Sequence, residues 1–172
     1  MRLFFAVWPD SAARERLAEL ARGVAADFGG KPVAAARIHL TLAFLGEVDE
    51  ARMPAAGEAA ASVHCAPFQV RLDGIGSFAG ARVAWAGMSG EAPSALLELQ
   101  ATLAAALASS GFALEERPFA PHATLARGIA RTVPRERIDP VAWEARQFSL
   151  VRTIAGRYER LRDFPALREG AR

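Results

Sequence analysis

Two short segments of the sequence share the pattern His-x-Thr-Leu. The first is His39-Leu40-Thr41-Leu42, and the second, His122-Ala123-Thr124-Leu125, follows 83 residues later (39 to 122), close to half of the 172-residue chain. Two of the chain's three histidines lie in these segments. One such segment is usually an ordinary part of a strand. Two at matched positions in a chain with one other histidine indicate a shared function.

The spacing within each motif determines what its side chains can do together. Residues two apart on a strand project from the same face, about 6.5 to 7 Å from each other, so each motif presents one imidazole beside one hydroxyl. A duplicated unit usually packs about a pseudo-twofold axis, which would bring both motifs to one central cleft. Two imidazoles can act as acid and base, and two hydroxyls can hold the oxygens of a phosphoryl group.

Helices that end in glycine precede both motifs. Phe28 with Gly29, and Gly111 beside Phe112, mark these helix ends ten or eleven residues before each histidine. Each motif therefore closes a helix-to-strand unit, and we expect one two-lobed domain over residues 1-172 with an internal repeat.

Alternating and helical hydrophobic patterns predict an α+β fold, with sheets backed by helices. The predicted helices cover residues 11–28, 49–64 and 93–110, and the predicted strands cover residues 2–8, 38–46, 68–72, 82–88, 119–128, 147–154 and 158–164.

Composition excludes several classes of protein. No stretch of 18 apolar residues lacks a charge, and the apolar run at residues 1–8 breaks at Pro9, so we expect a soluble cytoplasmic protein without membrane contact. Cys65 is the single cysteine, which excludes a disulfide scaffold. His64 beside it is interpreted as a helix-end residue. With three histidines and no carboxylate near either motif, we expect no metal and no cofactor.

Arginine is the dominant cation of the chain. Lys31 is the single lysine among 21 Lys and Arg residues. Arginine favours bidentate contact with phosphate, although biased nucleotide composition is an equally good explanation for an alanine- and arginine-rich chain. The arginines after residue 130 are typical of a solvated surface, and some of them could contact a phosphate backbone.

The motifs and the segments around them resemble the two-histidine phosphoesterase superfamily. Within it, the similarity is to the bacterial and archaeal RNA 2',3'-cyclic phosphodiesterases, formerly called 2'-5' RNA ligases. It covers nearly the whole chain and is carried by RLFFAVWP, IHLTLAFLGEVDEARMP, PFQVRLDGIGSFAGARVAW, RPFAPHATLAR and FSLVRT. The resemblance implies a bilobal fold with two antiparallel sheets lining a central cleft, helices outside, and metal-independent hydrolysis of a cyclic phosphodiester at an RNA end. We expect a monomer.

The resemblance also assigns roles to individual residues. His39 and His122 would be catalytic, and Thr41, Thr124 and Arg127 would bind the substrate phosphate. Phe44 matches an aromatic residue that stacks on the terminal base. One departure is that many members carry an aromatic residue shortly before the first motif, where this chain has Lys31-Pro32-Val33, so that wall of the cleft is expected to be more open.

Strand geometry conflicts with two of these roles. Phe44 and Arg127 each lie five residues after a histidine, and on an ideal strand they would face away from it. A β-bulge or a strand end could redirect them, since Gly46 and Gly128 follow closely. Otherwise Phe44 would belong to the core and Arg127 to the surface.

Several related reactions remain open at this point. The same tetrad could hydrolyse small cyclic nucleotides, ADP-ribose 1'',2''-cyclic phosphate or 2'-5' linkages, or could join RNA ends through a 2'-5' bond. A non-catalytic module that binds RNA ends is the alternative of another class, but binding alone needs no pair of imidazoles. The resemblance favours His39 as the acid and His122 as the base, which would leave a 2'-phosphate.

Overall fold

The computed structural model describes residues 1–167, and the last five residues of the predicted domain 1–172 lie outside this part. It contains three α-helices, two short 3-10 helices and nine strands. The helices are α1 (Ser11–Phe28), α2 (Met53–Ala61) and α3 (Ser94–Ser109), and the 3-10 helices are Ala35–Arg37 and Glu50–Arg52. The strands are β1 (Arg2–Val7), β2 (Lys31–Pro32), β3 (Leu40–Glu47), β4 (Phe68–Phe78), β5 (Val83–Gly87), β6 (His122–Arg127), β7 (Glu136–Ala145), β8 (Gln147–Ile154) and β9 (Arg157–Pro165).

All nine strands belong to one antiparallel sheet. Its order is β7-β4-β5-β6-β3-β1-β8-β9, and the short β2 pairs with the free part of β6. The predicted α+β class is confirmed. The resemblance implied two antiparallel sheets, whereas the structure joins two four-stranded halves into one sheet. The halves are continuous because the strands that carry the two motifs pair with each other at Leu40 and Ala123.

The three helices cover one face of the sheet and form the core with it. Asp10 caps α1 by accepting a hydrogen bond from the backbone N–H of Ala13 at 2.8 Å. Helix α1 packs on β6 and β7 in one half, whereas α2 and α3 pack on β9 and β3 in the other. Their apolar residues recur every three or four positions, and α3 buries Leu96, Leu99, Leu103 and Leu107 in this way. The opposite face of the sheet carries the motif side chains.

One full-length strand is absent from the sequence-based prediction. In β7 the buried residues Val141, Trp143 and Ala145 alternate as a half-buried strand requires, but Pro140 interrupts the pattern. Proline is tolerated here because β7 is the edge strand, where a missing amide donor leaves no partner unsatisfied. The carbonyl of Pro140 accepts a hydrogen bond from Arg16 Nη1 at 2.8 Å.

Several element boundaries also differ from the prediction. Strand β4 continues to Phe78, six residues past the predicted end, because it pairs on both sides, with β5 and β7. The segment predicted as one helix over 49–64 starts as a 3-10 helix and becomes α2 at Met53, with Pro54 in its first turn. No helix among residues 1–167 is long and apolar enough to cross a membrane.

Candidate active site

The register between β3 and β6 brings the two His-x-Thr motifs together. Leu40 and Ala123, the middle residues of the motifs, are direct cross-strand partners, and both are fully buried against the helix side. Because the strands are antiparallel, each histidine lies across from the threonine of the other motif. Because side chains alternate between faces, all four polar motif residues project away from the core: His39, Thr41, His122 and Thr124.

Hydrogen bonds fix the orientation of the His39 ring. Nδ1 lies 2.7 Å from the carbonyl oxygen of Arg37, and Nε2 lies 3.0 Å from Oγ1 of Thr41. A carbonyl oxygen can only accept, so Nδ1 carries the proton in this arrangement. Nε2 is then the unprotonated nitrogen and accepts a hydrogen bond from the Thr41 hydroxyl, which holds it beside that threonine as the nitrogen that can take up a proton.

His122 is held in an equivalent way. Its Nδ1 lies 2.7 Å from the carbonyl oxygen of Ala120, which is again the residue two positions before the histidine. The edge of the ring meets Phe78 at a centroid distance of 5.1 Å. Both imidazoles therefore use Nδ1 as an anchor and leave Nε2 for chemistry, as expected for two equivalent acid–base groups.

Three aromatic rings surround His39. Phe4 stacks on the imidazole with centroids 4.9 Å apart, Trp8 lies at 5.2 Å, and Tyr158 meets it edge-on at 5.5 Å. Three rings therefore cover the imidazole of His39, whereas one ring, that of Phe78, meets the imidazole of His122.

This enclosure lowers the pKa of His39 to about 4, from an ordinary value of 6.5. Burial is the largest cause, because it disfavours the charged form. The hydrogen bond to the Arg37 carbonyl raises the pKa in part, and the positive charges of Arg127, His122 and Arg37 lower it further. His39 is therefore neutral at pH 7 in the unliganded protein.

A β-bulge places Phe44 on the face of the histidines. Strand β3 has one extra residue relative to β1 between Thr41 and Ala43, which makes Leu42 the bulge. The bulge shifts the alternation of side chains by one position, and Phe44 becomes the cross-strand partner of Phe4, the ring that stacks on the first histidine. Phe44 is 51% exposed on this face and is not a core residue.

A second bulge has the same effect on Arg127. Strand β6 has one extra residue relative to β5, at Leu125. Arg127 pairs with Val83, and Thr124 pairs with Trp85, two residues further along β5. Residues two apart on a strand share a face, so exposed Arg127 lies on the same side of the sheet as Thr124. The two bulges occupy the same position of the repeated motif, the leucine after the threonine.

The segment in which the sequence departs from the resembled family forms β2. Lys31 pairs in register with Arg127, and both residues are exposed. Direct cross-strand partners share a face, so a second cation lies beside Arg127 at this end of the cleft. The sequence contained no periodic signal for a strand of two residues, and Lys31 was not among the predicted site residues.

The floor of the cleft beside Thr124 is formed by Trp85, another residue that the sequence did not single out. Its indole lies flat across Gly76 and Gly87, and a Cβ atom at Gly76 would come within 2.7 Å of Trp85 Cη2. Phe78 lies next to the indole with centroids 5.7 Å apart. The two glycines provide the space that lets the indole lie in the sheet face.

The chemistry available at this site is acid–base chemistry beside an anion. Two imidazoles and two hydroxyls share one face, with Arg127 and Lys31 at one end. No group of three His, Cys, Asp or Glu side chains in the described part of the chain is arranged to hold a metal ion. Such a site can hold a phosphoryl group between two proton-transfer groups.

Comparison with known proteins places this arrangement in a family. The family model described as LigT like Phosphoesterase matches residues 7–85 and 87–157. The RNA 2',3'-cyclic phosphodiesterase of Escherichia coli K12 is 37% identical over 132 residues, which cover 77% of this chain and 74% of the relative. The protein of the same name from Thermus thermophilus is 37% identical over 166 residues, which cover 89% of this chain and 82% of the relative.

The fold agrees with that of solved structures. The crystal structure of E. coli LigT complexed with 3'-AMP superposes with a TM-score of 0.85 and 33% sequence identity, over 97% of this chain and 98% of that chain. The resemblance inferred from the two motifs is thereby confirmed. The chain belongs to the LigT-like phosphoesterase family.

Proposed function

We propose that this protein hydrolyses the 2',3'-cyclic phosphate at an RNA end to a 2'-phosphomonoester. The observation that carries the proposal is the pairing of Leu40 with Ala123, which assembles two His-Thr pairs on one open face of the sheet. The family membership and the names of the relatives support the choice of substrate.

The reaction is an in-line displacement at phosphorus. Nε2 of His122, in the neutral form, takes a proton from water as the water oxygen bonds to phosphorus. The bond from phosphorus to the ribose 3'-oxygen breaks, and protonated His39 gives that oxygen its proton. The hydroxyls of Thr41 and Thr124, with Arg127, hold the non-bridging oxygens and stabilise the charge that accumulates on them.

The low pKa of His39 sets a condition on its role as the acid. One of the charges that lower this pKa belongs to Arg127, which is proposed to hold the phosphate. A bound phosphate offsets this charge and favours the imidazolium form of His39. We therefore infer that substrate binding raises the pKa of His39, so that its imidazole is protonated in the complex and can donate that proton to the ribose 3'-oxygen.

The proposal includes a protein that acts as a monomer, without metal or cofactor. One chain supplies both histidines and both threonines, so the tetrad needs no second copy.

The single cysteine, Cys65, is buried, and burial raises the pKa of its thiol to about 11. A thiol that is neutral at pH 7 is a poor nucleophile, which leaves the histidines as the reactive groups. The cytoplasm is the proposed location, because a chain with one cysteine does not depend on an oxidising compartment for internal disulfides.

The test is turnover of an RNA oligonucleotide that ends in a 2',3'-cyclic phosphate. We expect a 2'-phosphate product, undiminished after the protein has been dialysed against a chelator, and no product from the double variant His39→Ala/His122→Ala. Tight binding of the oligonucleotide without turnover would support the binding module instead. Turnover restored only by added metal would contradict the metal-independent mechanism, and hydrolysis of 2'-5' linkages alone would contradict the proposed substrate.

A further inference from the structure

Two exposed arginines lie on the aromatic rings that enclose His39. The guanidinium carbon of Arg160 is 4.3 Å from the centroid of the Trp8 ring, and that of Arg37 is 4.5 Å from the centroid of the Tyr158 ring. Both distances are typical of cation–π contacts, which hold a guanidinium in place without neutralising its charge. The two charges therefore have a fixed position beside the catalytic face.

Neither arginine is paired with a carboxylate in the described part of the chain. Arginines near them are paired: Arg152 of β8 lies 2.7 Å from Glu159, and Arg162 of β9 lies 3.1 Å from Glu58. Arg37 and Arg160 have no such partner among residues 1–167. Arg160 is one of the arginines after residue 130 that the sequence analysis interpreted as a solvated surface. Its charge is available to a ligand.

The strand register places Arg160 on the face of the active site. Arg160 pairs with Val151, Val151 pairs with Phe4, and Phe4 pairs with Phe44. Direct cross-strand partners share a face, so one row of the sheet runs from the exposed Phe44 to Arg160, past the ring that stacks on His39. Arg157, on the same strand as Arg160 but an odd number of residues away, faces the other side.

We propose that Arg37 and Arg160 bind the phosphodiester backbone of the RNA on the 5' side of its terminal nucleoside. This rests on the proposed function, in which His39 protonates the ribose 3'-oxygen. The terminal ribose then lies against His39, and an RNA strand that approaches it over the adjacent Trp8 and Tyr158 rings meets both guanidinium groups. A guanidinium binds phosphate oxygens in a bidentate manner, and neither group has a carboxylate partner among residues 1–167.

The consequence is a preference for oligonucleotides over mononucleotides. A nucleoside 2',3'-cyclic phosphate has no phosphate on its 5' side and cannot use these arginines. A dinucleotide that ends in a 2',3'-cyclic phosphate can use them, and the same dinucleotide with an uncharged methylphosphonate linkage cannot. We expect kcat/KM to be highest for the charged dinucleotide and similar for the other two substrates.

Substitution of each arginine tests this with the three substrates. We expect Arg160→Gln to lower kcat/KM for the charged dinucleotide about tenfold and to leave the mononucleotide and methylphosphonate reactions nearly unchanged. The charge of Arg37 also acts on His39, so Arg37→Gln is judged by the ratio of kcat/KM between the charged and the methylphosphonate dinucleotide, which should fall by a similar factor. Arg160→Lys should keep part of the preference. Each lost arginine should also reduce the dependence of log KM on log salt concentration by about 0.7. Arg157→Gln, with the same charge change on the opposite face, is the control and should have no effect.

The outcomes separate this inference from the proposed function. If the wild-type protein hydrolyses all three substrates equally, or if the variants slow all three equally through a disturbed His39, the backbone site is wrong although the enzyme is active. If no cyclic phosphate is hydrolysed by the wild-type protein, the proposed function itself fails. Direct titration of the inactive His39→Ala/His122→Ala protein with the three substrates then measures whether the arginines bind the charged linkage.

Discussion

Leu40 of β3 pairs in register with Ala123 of β6, so the middle residues of the two His-x-Thr motifs are cross-strand neighbours. This pairing relates the motifs by a local twofold axis and places each histidine across from the threonine of the other. A slip of one residue would turn the polar residues of one motif toward the core and leave half of the tetrad. The register is protected against such a slip because Leu40 and Ala123 are fully buried.

The two histidines are expected to fail in different ways. His39→Ala and His122→Ala should each slow hydrolysis of the cyclic phosphate by a factor on the order of 10² to 10⁴. A p-nitrophenyl phosphodiester has a leaving group that needs no proton, so it should restore much of the rate to His39→Ala and little to His122→Ala. Steady-state kinetics on both substrates measures this. Equal impairment of the variants on the activated substrate would reverse or remove the assigned roles, and full activity of either variant on the cyclic phosphate would contradict the tetrad.

Arg127→Ala should weaken stabilisation of the transition state by about 2 to 4 kcal/mol, because a charged donor to the phosphoryl oxygens is lost. The measurement is kcat/KM with the cyclic phosphate. Lys31→Ala should have a smaller effect of the same sign, since Lys31 lies beside Arg127 in the register. Arg22→Ala, an exposed arginine on α1, is the matched control. Unchanged kinetics in Arg127→Ala would contradict the phosphate-binding role and show that Arg127 is an ordinary surface residue.

Phe44→Ala should reduce substrate binding and leave the fold intact. Loss of stacking on the terminal base costs roughly 1 to 3 kcal/mol, seen as a higher KM. Because the side chain is 51% exposed, the melting temperature should change as little as in Leu97→Ala, a leucine that is 44% exposed on α3. A large drop in melting temperature with normal KM would show instead that Phe44 supports the fold.

The low pKa of His39 makes stability depend on pH. In the unfolded chain His39 takes up a proton near pH 6.5, whereas in the folded protein it does so near pH 4. Between these values the unfolded state binds more protons, so the free energy of unfolding falls as the pH is lowered, by up to about 3 kcal/mol from this residue. Urea denaturation at pH 7 and pH 4.5 should show a smaller loss for His39→Gln than for the wild type.

His64→Gln removes an exposed histidine and provides the control for this comparison. If His39→Gln lost as much stability between the two pH values as the wild type, the imidazole would not be excluded from water as the structure has it. A ¹H–¹⁵N NMR titration of the His39 ring, with and without a 2'-phosphate product, measures the pKa of His39 directly. The pKa should rise on binding, and a pKa that stays low in the complex would assign the acid role to His122.

Two glycine substitutions should have opposite effects on stability. Gly76→Ala would force the Trp85 indole out of the sheet face and disturb Thr124, its cross-strand partner, so both the melting temperature and the activity should fall. Gly23 lies within α1 with nothing within 4 Å of an added Cβ. Gly23→Ala should therefore stabilise the protein by about 0.5 to 1 kcal/mol and leave activity unchanged. A Gly76→Ala protein with wild-type stability would show that the indole does not need this space.

The amino-acid sequence by itself determined the two motifs, which supply the residues proposed to do the chemistry, and most of the elements that carry them. The two His-x-Thr motifs, their separation and the hydrophobic periodicity predicted the helices and most strands, because these are local patterns of residue type along the chain. Residue β-propensity and alternation could not predict β7, where Pro140 breaks the pattern in a strand that only its place at the edge of the sheet makes possible.

The tertiary structure alone decided where the side chains point. Phe44 and Arg127 reach the face of the two motifs because β3 bulges at Leu42 against β1 and β6 bulges at Leu125 against β5. A bulge depends on how two distant segments pair. The enclosure of His39 likewise needs β1 and β9 in the same half of the sheet as β3, because Phe4 and Tyr158 come from those strands. The contact of Arg160 with Trp8 depends on the same arrangement. Burial, register and charge pairing arise from contacts between residues far apart in the chain, and local sequence patterns do not contain them.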